Sequence, residues 1–134
     1  MGLIIDTSIL ISLEKNRINH NELLNFGSSY INPIILTELL TGADRANNEN
    51  RRVKRLAFIE YVKSIFAILP FSIEEAYAYA KIIDNLYKEH ITIDTHDLLI
   101  AATAITHNYP ILTLNTKDFK RIPELEVLTV PLKD

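Results

Sequence analysis

The sequence GLIIDTSIL at residues 2–10 holds the clearest structural signal in the chain. Residues 2–5 form a short apolar run, which is typical of a strand buried on both faces. The polar triplet that follows separates this run from a second apolar stretch through Leu13, and Thr7 or Ser8 can cap a helix there. Asp6 is therefore predicted at the carboxyl end of a first strand, where open α/β sheets carry their chemistry.

The rest of the sequence alternates short apolar runs with helical patterns. Further strands are predicted at residues 28–31, 66–69, 111–113 and 127–130. Helices are predicted at residues 34–40, 53–62, 72–86 and 94–107, and residues 115–119 form a turn or short helix. This order predicts an α/β fold with a central, mostly parallel sheet flanked by helices.

Five residues predict where two of these helices begin and where one of them ends. Asn32 can serve as an N-cap before Pro33 at the first helical position, and Gly42 is the expected C-cap of the same helix. Ser72 and Glu75 have the spacing of a capping box.

The composition limits the classes of protein that the chain can be. A chain of 134 residues with 48% hydrophobic content can bury the core of one domain, so residues 1–134 are expected to form a single domain. Cysteine is absent, and any metal must therefore be held by oxygen or histidine nitrogen. No signal peptide or membrane span is recognised, which favours a cytoplasmic protein.

A net charge of −3 argues against a protein that coats nucleic acid by bulk attraction. Basic residues nevertheless form two clusters, which fit solvated helix faces as well as they fit an RNA path. The first cluster contains Arg45, Arg51, Arg52, Lys54 and Arg55, and the second contains Lys117, Lys120 and Arg121.

Four acids, Asp6, Glu38, Asp97 and Asp118, each follow or interrupt an apolar segment. Mg²⁺ takes oxygen ligands and keeps several waters, so carboxylates from separate elements suit it. Without a cation, gathering these charges would be unfavourable and would raise their pKa values.

Each acid also has a structural interpretation. Asp6 could cap the next helix, Asp97 could form an acidic capping box with Asp94, and Asp118 could be a turn acid after Asn115. For Glu38 the structural interpretation is an outward-facing helix position. That interpretation is less favoured, because the apolar residues around Glu38 leave little polar helix face. The set of four indicates metal chemistry more strongly than any single member does.

Four segments together resemble the PIN-domain family, most closely its VapC toxins, from Leu3 to about Val130. The segments are IIDTSIL at residues 4–10, TELLTGA at residues 37–43, HDLLIAATA at residues 96–104 and LTLNTKDF at residues 112–119. The resemblance implies a three-layer sandwich in which the strand ends gather the acids into a pocket.

The resemblance also implies a site and an activity. Family metal ligands fall on Asp6 and Asp97, Glu38 and Asp118 complete the cluster, and two polar pocket positions fall on Thr7 and Asn115. Asn115 and Asp118 could exchange the roles of ligand and support. The implied activity is hydrolysis of RNA phosphodiester bonds by water activated on Mg²⁺, with Mn²⁺ as an alternative ion. The implied partners are RNA, a cognate antitoxin and a second copy of the chain in a homodimer.

Three alternatives stay open at this point. An HD-type phosphohydrolase would use His96 and Asp97, with His90 and Asp118 as further ligands, but it requires a largely helical fold. A domain that only binds RNA or protein would be expected to lack one of the four acids. An RNA-processing nuclease would cleave RNA by the same chemistry but would act in RNA maturation and not as a toxin.

Apolar and aromatic residues on two predicted helices could form a partner surface or simply fill the core. They are the apolar positions of the helix at residues 53–62 and the side chains of Tyr77, Tyr79 and Tyr87.

Overall fold

The computed structural model describes residues 2–133, and within that range the chain forms one parallel sheet flanked by helices. The five strands have the order β3-β2-β1-β4-β5. Their bounds are β1 Gly2–Ile5, β2 Ser28–Ile31, β3 Ala67–Ile68, β4 Ile111–Leu112 and β5 Val127–Leu128. The helices are α1 Thr7–Glu14, α2 His20–Leu24, α3 Pro33–Asp44, α4 Glu49–Ile65, α5 Ile73–Lys88, α6 Thr95–His107 and α7 Thr116–Phe119. The predicted α/β class with a parallel sheet is confirmed.

Strand β1 lies at the centre of the sheet, as its continuous apolar sequence predicts. It pairs in parallel with β2, where Ile4 is opposite Tyr30, and with β4, where Ile5 is opposite Leu112. All four β1 residues are buried. Because β1 and β4 are parallel and adjacent, the residues that follow them, Asp6 and Thr113, emerge side by side at one edge of the sheet.

The predicted N-terminal caps of α3 and α5 are present. The Asn32 side chain accepts a hydrogen bond from the Ile35 amide before Pro33. Ser72 and Glu75 form the capping box of α5. These contacts satisfy amides that have no partner within the helix. Asn108 ends α6 with a left-handed backbone, φ 56°.

Gly42 is not a C-cap, contrary to the prediction, because α3 continues to Asp44. The glycine has a different function: a Cβ at this position would collide with the guanidinium of Arg55 on α4. That guanidinium forms a two-point ion pair with Glu14, at 2.8 and 2.9 Å. Close approach of the Arg55 guanidinium to the α3 backbone therefore favours glycine here.

Other predicted boundaries were wrong by a few residues. Helix α4 begins after Asn48 and covers residues 49–65, and α2 was not predicted because it buries only Leu23 in a polar segment. Strands predicted at residues 66–69, 111–113 and 127–130 are each two residues long. Asp6 occupies the N-cap position of α1, in place of Thr7 or Ser8.

The apolar residues proposed for a partner surface divide into two groups. Ile59 and Val62 are buried, and Tyr79 packs against the core. Tyr77 and Tyr87 are 74% and 81% exposed. Within residues 2–133, no helix has the length and apolar character needed to cross a membrane.

Candidate active site

The carboxylate of Asp6 is buried at the carboxyl end of β1, with 4% of the residue exposed. Its side chain does not cap α1. Instead, Oδ2 accepts hydrogen bonds from Ser8 Oγ at 2.8 Å and from Thr113 Oγ1 at 2.7 Å. Both donors hold the carboxylate in one orientation, which is the usual function of the groups that support a metal ligand.

The two hydroxyl groups are in turn fixed by the backbone that follows β4. Ser8 Oγ accepts from the Leu114 amide at 3.0 Å, and Thr113 Oγ1 accepts from the Asn115 amide at 2.9 Å. The sequence pattern does not mark Ser8 or Thr113 as site residues. The position of Thr113 could have indicated its role, because a threonine directly after the strand that pairs with β1 must emerge beside Asp6.

Glu38 lies on α3 and faces Thr7, which donates a hydrogen bond from Oγ1 to Glu38 Oε1 at 2.6 Å. Burial, followed by the charge of Asp6, raises the pKa of Glu38, although the Thr7 hydrogen bond opposes this shift. His96 Nδ1 is 3.8 Å from Glu38 Oε2. The glutamate therefore faces the site, as its apolar sequence context indicates.

Asp97 lies in the first turn of α6 and is held by Asn115. The amide nitrogen Nδ2 of Asn115 donates to Asp97 Oδ2 at 3.1 Å. Asp94 caps the helix separately, since its Oδ2 accepts from the His96 amide at 3.1 Å. Asp97 is therefore oriented from outside its own helix and is available for another function.

Asp97 has the most strongly perturbed carboxyl group of the four. Burial, followed by the charge of Asp6, raises the pKa of Asp97 from its usual 3.8 to about 7. The charges of Asp94, Glu38 and Asp118 raise it further. A cation placed among these carboxylates would reverse the shift, because it would favour the ionised form of each.

Asp118 lies at the margin of the site, on α7. Its Oδ1 is 3.8 Å from Arg121 Nη1, and its side chain is 35% exposed. It contributes to the raised pKa of Asp97, which places it in the same electrostatic environment. Asn115 contacts Asp97 directly, while Asp118 pairs with a cation of its own. We use the name acidic pocket for Asp6, Glu38, Asp97 and Asp118.

Comparison with known proteins establishes the family. The family model of the PIN domain matches residues 3–125. The chain belongs to the PIN-domain family. It is 73% identical over 134 residues to the protein named Ribonuclease VapC of Rickettsia bellii, and the match covers the whole of both chains.

Chains in solved VapBC structures have the same fold. A chain in the crystal structure of VapBC2 from Rickettsia felis, bound to a DNA fragment from the promoter, has a TM-score of 0.86 and 27% identity, with 97% of this chain and 99% of that chain covered. VapBC-5 from Mycobacterium tuberculosis, described as a member of the VapBC family of toxin–antitoxin systems, has a TM-score of 0.79 and 26% identity, with 96% and 98% covered. The PIN-like sandwich predicted from the sequence is therefore confirmed.

The residues of this PIN domain fit a hard divalent cation in chemistry and charge. The available donors are carboxylate oxygens, and burial together with the charge of Asp6 raises the pKa values of Asp97 and Glu38. In residues 2–133, no three acidic or histidine side chains are close enough together to hold a metal ion in this arrangement. Magnesium sites often use only one or two carboxylates, with water and substrate phosphate completing the coordination. Asp6 and Asp97 match that pattern.

The HD-type interpretation is wrong, because it requires a helical fold and the chain has a parallel sheet. His96 lies beside Glu38 at the edge of the pocket. His90 is exposed, in a left-handed turn after α5.

Proposed function

We propose that the protein is a Mg²⁺-dependent endoribonuclease, with Asp6 and Asp97 as the principal metal ligands. The observation that carries the proposal is the gathering of carboxylates at one end of the sheet, where burial and the charges of neighbouring acids raise the pKa of Asp97 to about 7. Charge repulsion of this kind is characteristic of functional sites and is relieved by a cation. The Ribonuclease VapC name of the 73% identical relative supports RNA as the substrate.

The supporting residues would orient these two ligands. Ser8 and Thr113 hold Asp6, and Asn115 holds Asp97. A divalent cation bound there would supply positive charge to the phosphate oxygens and would acidify the attacking water.

Glu38 is placed to act on the proton of that water. Thr7 occupies Oε1, so Oε2 is the oxygen available to accept the proton. With a cation bound, the carboxylate would be ionised and could serve as the base for this step near neutral pH. Asp118 would assist by adding negative charge, or by holding a second ion. Mn²⁺ is the alternative cation, because it also prefers oxygen ligands.

We also propose that the protein acts in the cytoplasm as the toxin of a toxin–antitoxin pair and as a homodimer. The description of VapBC-5 as part of a toxin–antitoxin system supports an antitoxin partner. Ile73, Tyr77 and Tyr87 on α5 are each more than 70% exposed, which gives apolar surface for a second copy.

Cleavage of total cellular RNA by purified protein tests the proposed function. Wild type should give discrete fragments with Mg²⁺ and none with EDTA, and Asp97→Asn should give none in either condition. Asp84→Asn is the matched control, because it makes the same substitution at an exposed α5 residue that pairs with Lys88. Cleavage that survives Asp97→Asn would refute the assigned site. A folded, antitoxin-free wild type that cleaves nothing would indicate a binding module.

A further inference from the structure

A second concave surface lies beside the acidic pocket and has the opposite charge. This groove of about 740 Å³ is formed where the ends of α1 and α3 meet the first turns of α4. Its charged lining residues are Glu14, Lys15, Arg45, Arg51, Lys54 and Arg55. We call this surface the basic groove. The proposed function gives no role to the basic groove.

Hydrogen bonds and an ion pair hold the Arg55 side chain in the wall of the basic groove. Arg55 donates from Nε and Nη2 to the two oxygens of Glu14, and from Nη1 to the Leu39 carbonyl at 3.3 Å. The Glu14 and Arg55 side chains are only 22% and 20% exposed. A two-point pair of this kind neutralises Glu14, which is the single carboxylate among the lining residues.

The remaining cations of the groove are free to bind a ligand. Lys15, Arg45, Arg51 and Lys54 are exposed. No carboxylate within residues 2–133 lies in salt-bridge range of any of them. Four unpaired cations on one face of a chain with net charge −3 form a local site for a polyanion.

The basic groove is connected to the acidic pocket by two helices. Helix α1 carries Thr7 at the pocket and Glu14 at the groove, and α3 carries Glu38 at the pocket and is followed directly by Arg45 at the groove. Seven residues of α-helix extend about 10 Å. A nucleic-acid strand that has one phosphate at the pocket would therefore reach the groove within a few nucleotides.

We propose that the basic groove binds the phosphate backbone of single-stranded RNA to one side of the cleavage point. The inference rests on the proposed function, since it names where the substrate of that site continues. A pocket of four acids repels a polyanion, so productive binding needs compensating cations close by. Phe58, half-buried in the lining, adds an aromatic face of the kind on which bases stack.

An acidic peptide is the competing occupant, and location argues against it. Such a peptide would gain from the same four cations, but it carries no phosphodiester bond for the proposed metal site about 10 Å away to act on. RNA must approach that pocket in order to be cleaved.

The test uses the triple variant Lys15→Gln, Arg51→Gln, Lys54→Gln. Binding of two unrelated fluorescein-labelled single-stranded RNAs is measured by anisotropy in EDTA over a range of salt concentrations, so that the result does not depend on cleavage. Each lost phosphate contact lowers the slope of log K against log salt by about 0.7, and we therefore expect a loss of about 2 in slope for both RNAs. We expect KM for long RNA to rise roughly tenfold, while kcat/KM for a dinucleotide stays at the wild-type value.

The matched control is Lys63→Gln, Lys81→Gln, Lys88→Gln, which removes the same charge from exposed residues outside the groove. An unchanged slope in the groove variant, or an equal loss in the control, would overturn the proposal. A labelled poly-glutamate peptide is titrated in parallel. If the groove variant loses the peptide and keeps RNA at wild-type affinity, the groove binds acidic peptide and the RNA assignment is wrong.

Discussion

Replacement of Asp97 by asparagine removes a charge from the most repulsive position in the acidic pocket. We expect the variant to lose RNA cleavage and, in the metal-free state at about pH 8, to be more stable than wild type. The amide of asparagine is nearly isosteric with the carboxylate, and its oxygen can still accept the bond from Asn115 Nδ2. The two effects have one cause, because the carboxylate that would bind the metal destabilises the fold when no metal is bound.

The size of the effect follows from the pKa of Asp97. Folding raises this pKa from 3.8 to about 7, so the folded state holds a proton that the unfolded state releases. The contribution of Asp97 to the stability of the metal-free protein therefore falls as pH rises from about 4 to 7, and this contribution changes little above that range. Converted in full, this pKa shift corresponds to roughly 4 kcal/mol in the free energy of unfolding. Because the side chain is partly exposed, solvent screening reduces the expected difference to roughly 2 kcal/mol.

Urea denaturation of both proteins in EDTA measures the difference directly. At about pH 4 the two free energies of unfolding should agree, and at about pH 8 the variant should be more stable by roughly 2 kcal/mol. Addition of Mg²⁺ at the higher pH should stabilise wild type and leave the variant unchanged. Asp84→Asn should show no pH-dependent gain, because Asp84 is an exposed α5 residue. A stability difference between Asp97→Asn and wild type that is constant from acid to alkaline pH would refute the reasoning.

Three other predictions follow from the contacts of the site and the groove. The kcat/KM for RNA should rise with pH as Asp97 ionises, and a higher Mg²⁺ concentration should move the profile to lower pH; a profile insensitive to Mg²⁺ would contradict competition between proton and metal. Thr113→Val removes the 2.7 Å hydrogen bond to Asp6, so we expect Mg²⁺ affinity, measured by calorimetry, to fall by at least about tenfold. Unchanged affinity would exclude the positioning role. Gly42→Ala should lower the free energy of unfolding by about 1–3 kcal/mol, because the new Cβ collides with Arg55. In a protein that already carries Arg55→Ala, Gly42→Ala should change the free energy of unfolding very little. An equal loss from Gly42→Ala with Arg55 present and with Arg55→Ala would disprove the collision.

The sequence predicted the central elements of the fold well, since their signal is local. Strands β1 and β2 were predicted with the observed bounds, at residues 2–5 and 28–31. Helix α2 was missed even though Asn19 caps it by accepting from Glu22 N. A five-residue helix with one buried side chain has no periodicity for a pattern to reveal.

Gly42 shows a different limit of sequence reasoning. A glycine at the end of an apolar helical run fits a C-cap, and nothing in the neighbouring sequence argues otherwise. The physical reason for this glycine lies on α4, where Arg55 needs the space that a Cβ would fill. Contacts between elements are not visible in the local pattern, so this assignment needed the three-dimensional structure.

The candidate site divides in the same way. Asp6 and Asp97 were proposed from their sequence context and from family resemblance, and their role as ligands stays a prediction. The hydroxyl groups of Ser8 and Thr113 were not proposed, because serine and threonine beside a strand have many ordinary functions. Only the pairing of β1 with β4 shows that both hydroxyls reach one oxygen of Asp6.

The choice of asparagine at position 115 has an electrostatic explanation. Asp97 already carries the repulsion of its acidic neighbours, and its pKa is raised to about 7. An aspartate in contact with it would raise that pKa further and would make the ionised ligand rarer at neutral pH. Asn115 instead donates a hydrogen bond to one oxygen without adding charge, and the more distant Asp118 has Arg121 as a partner. Orientation of Asp97 by a neutral group therefore keeps the carboxylate in place for a cation without opposing its ionisation.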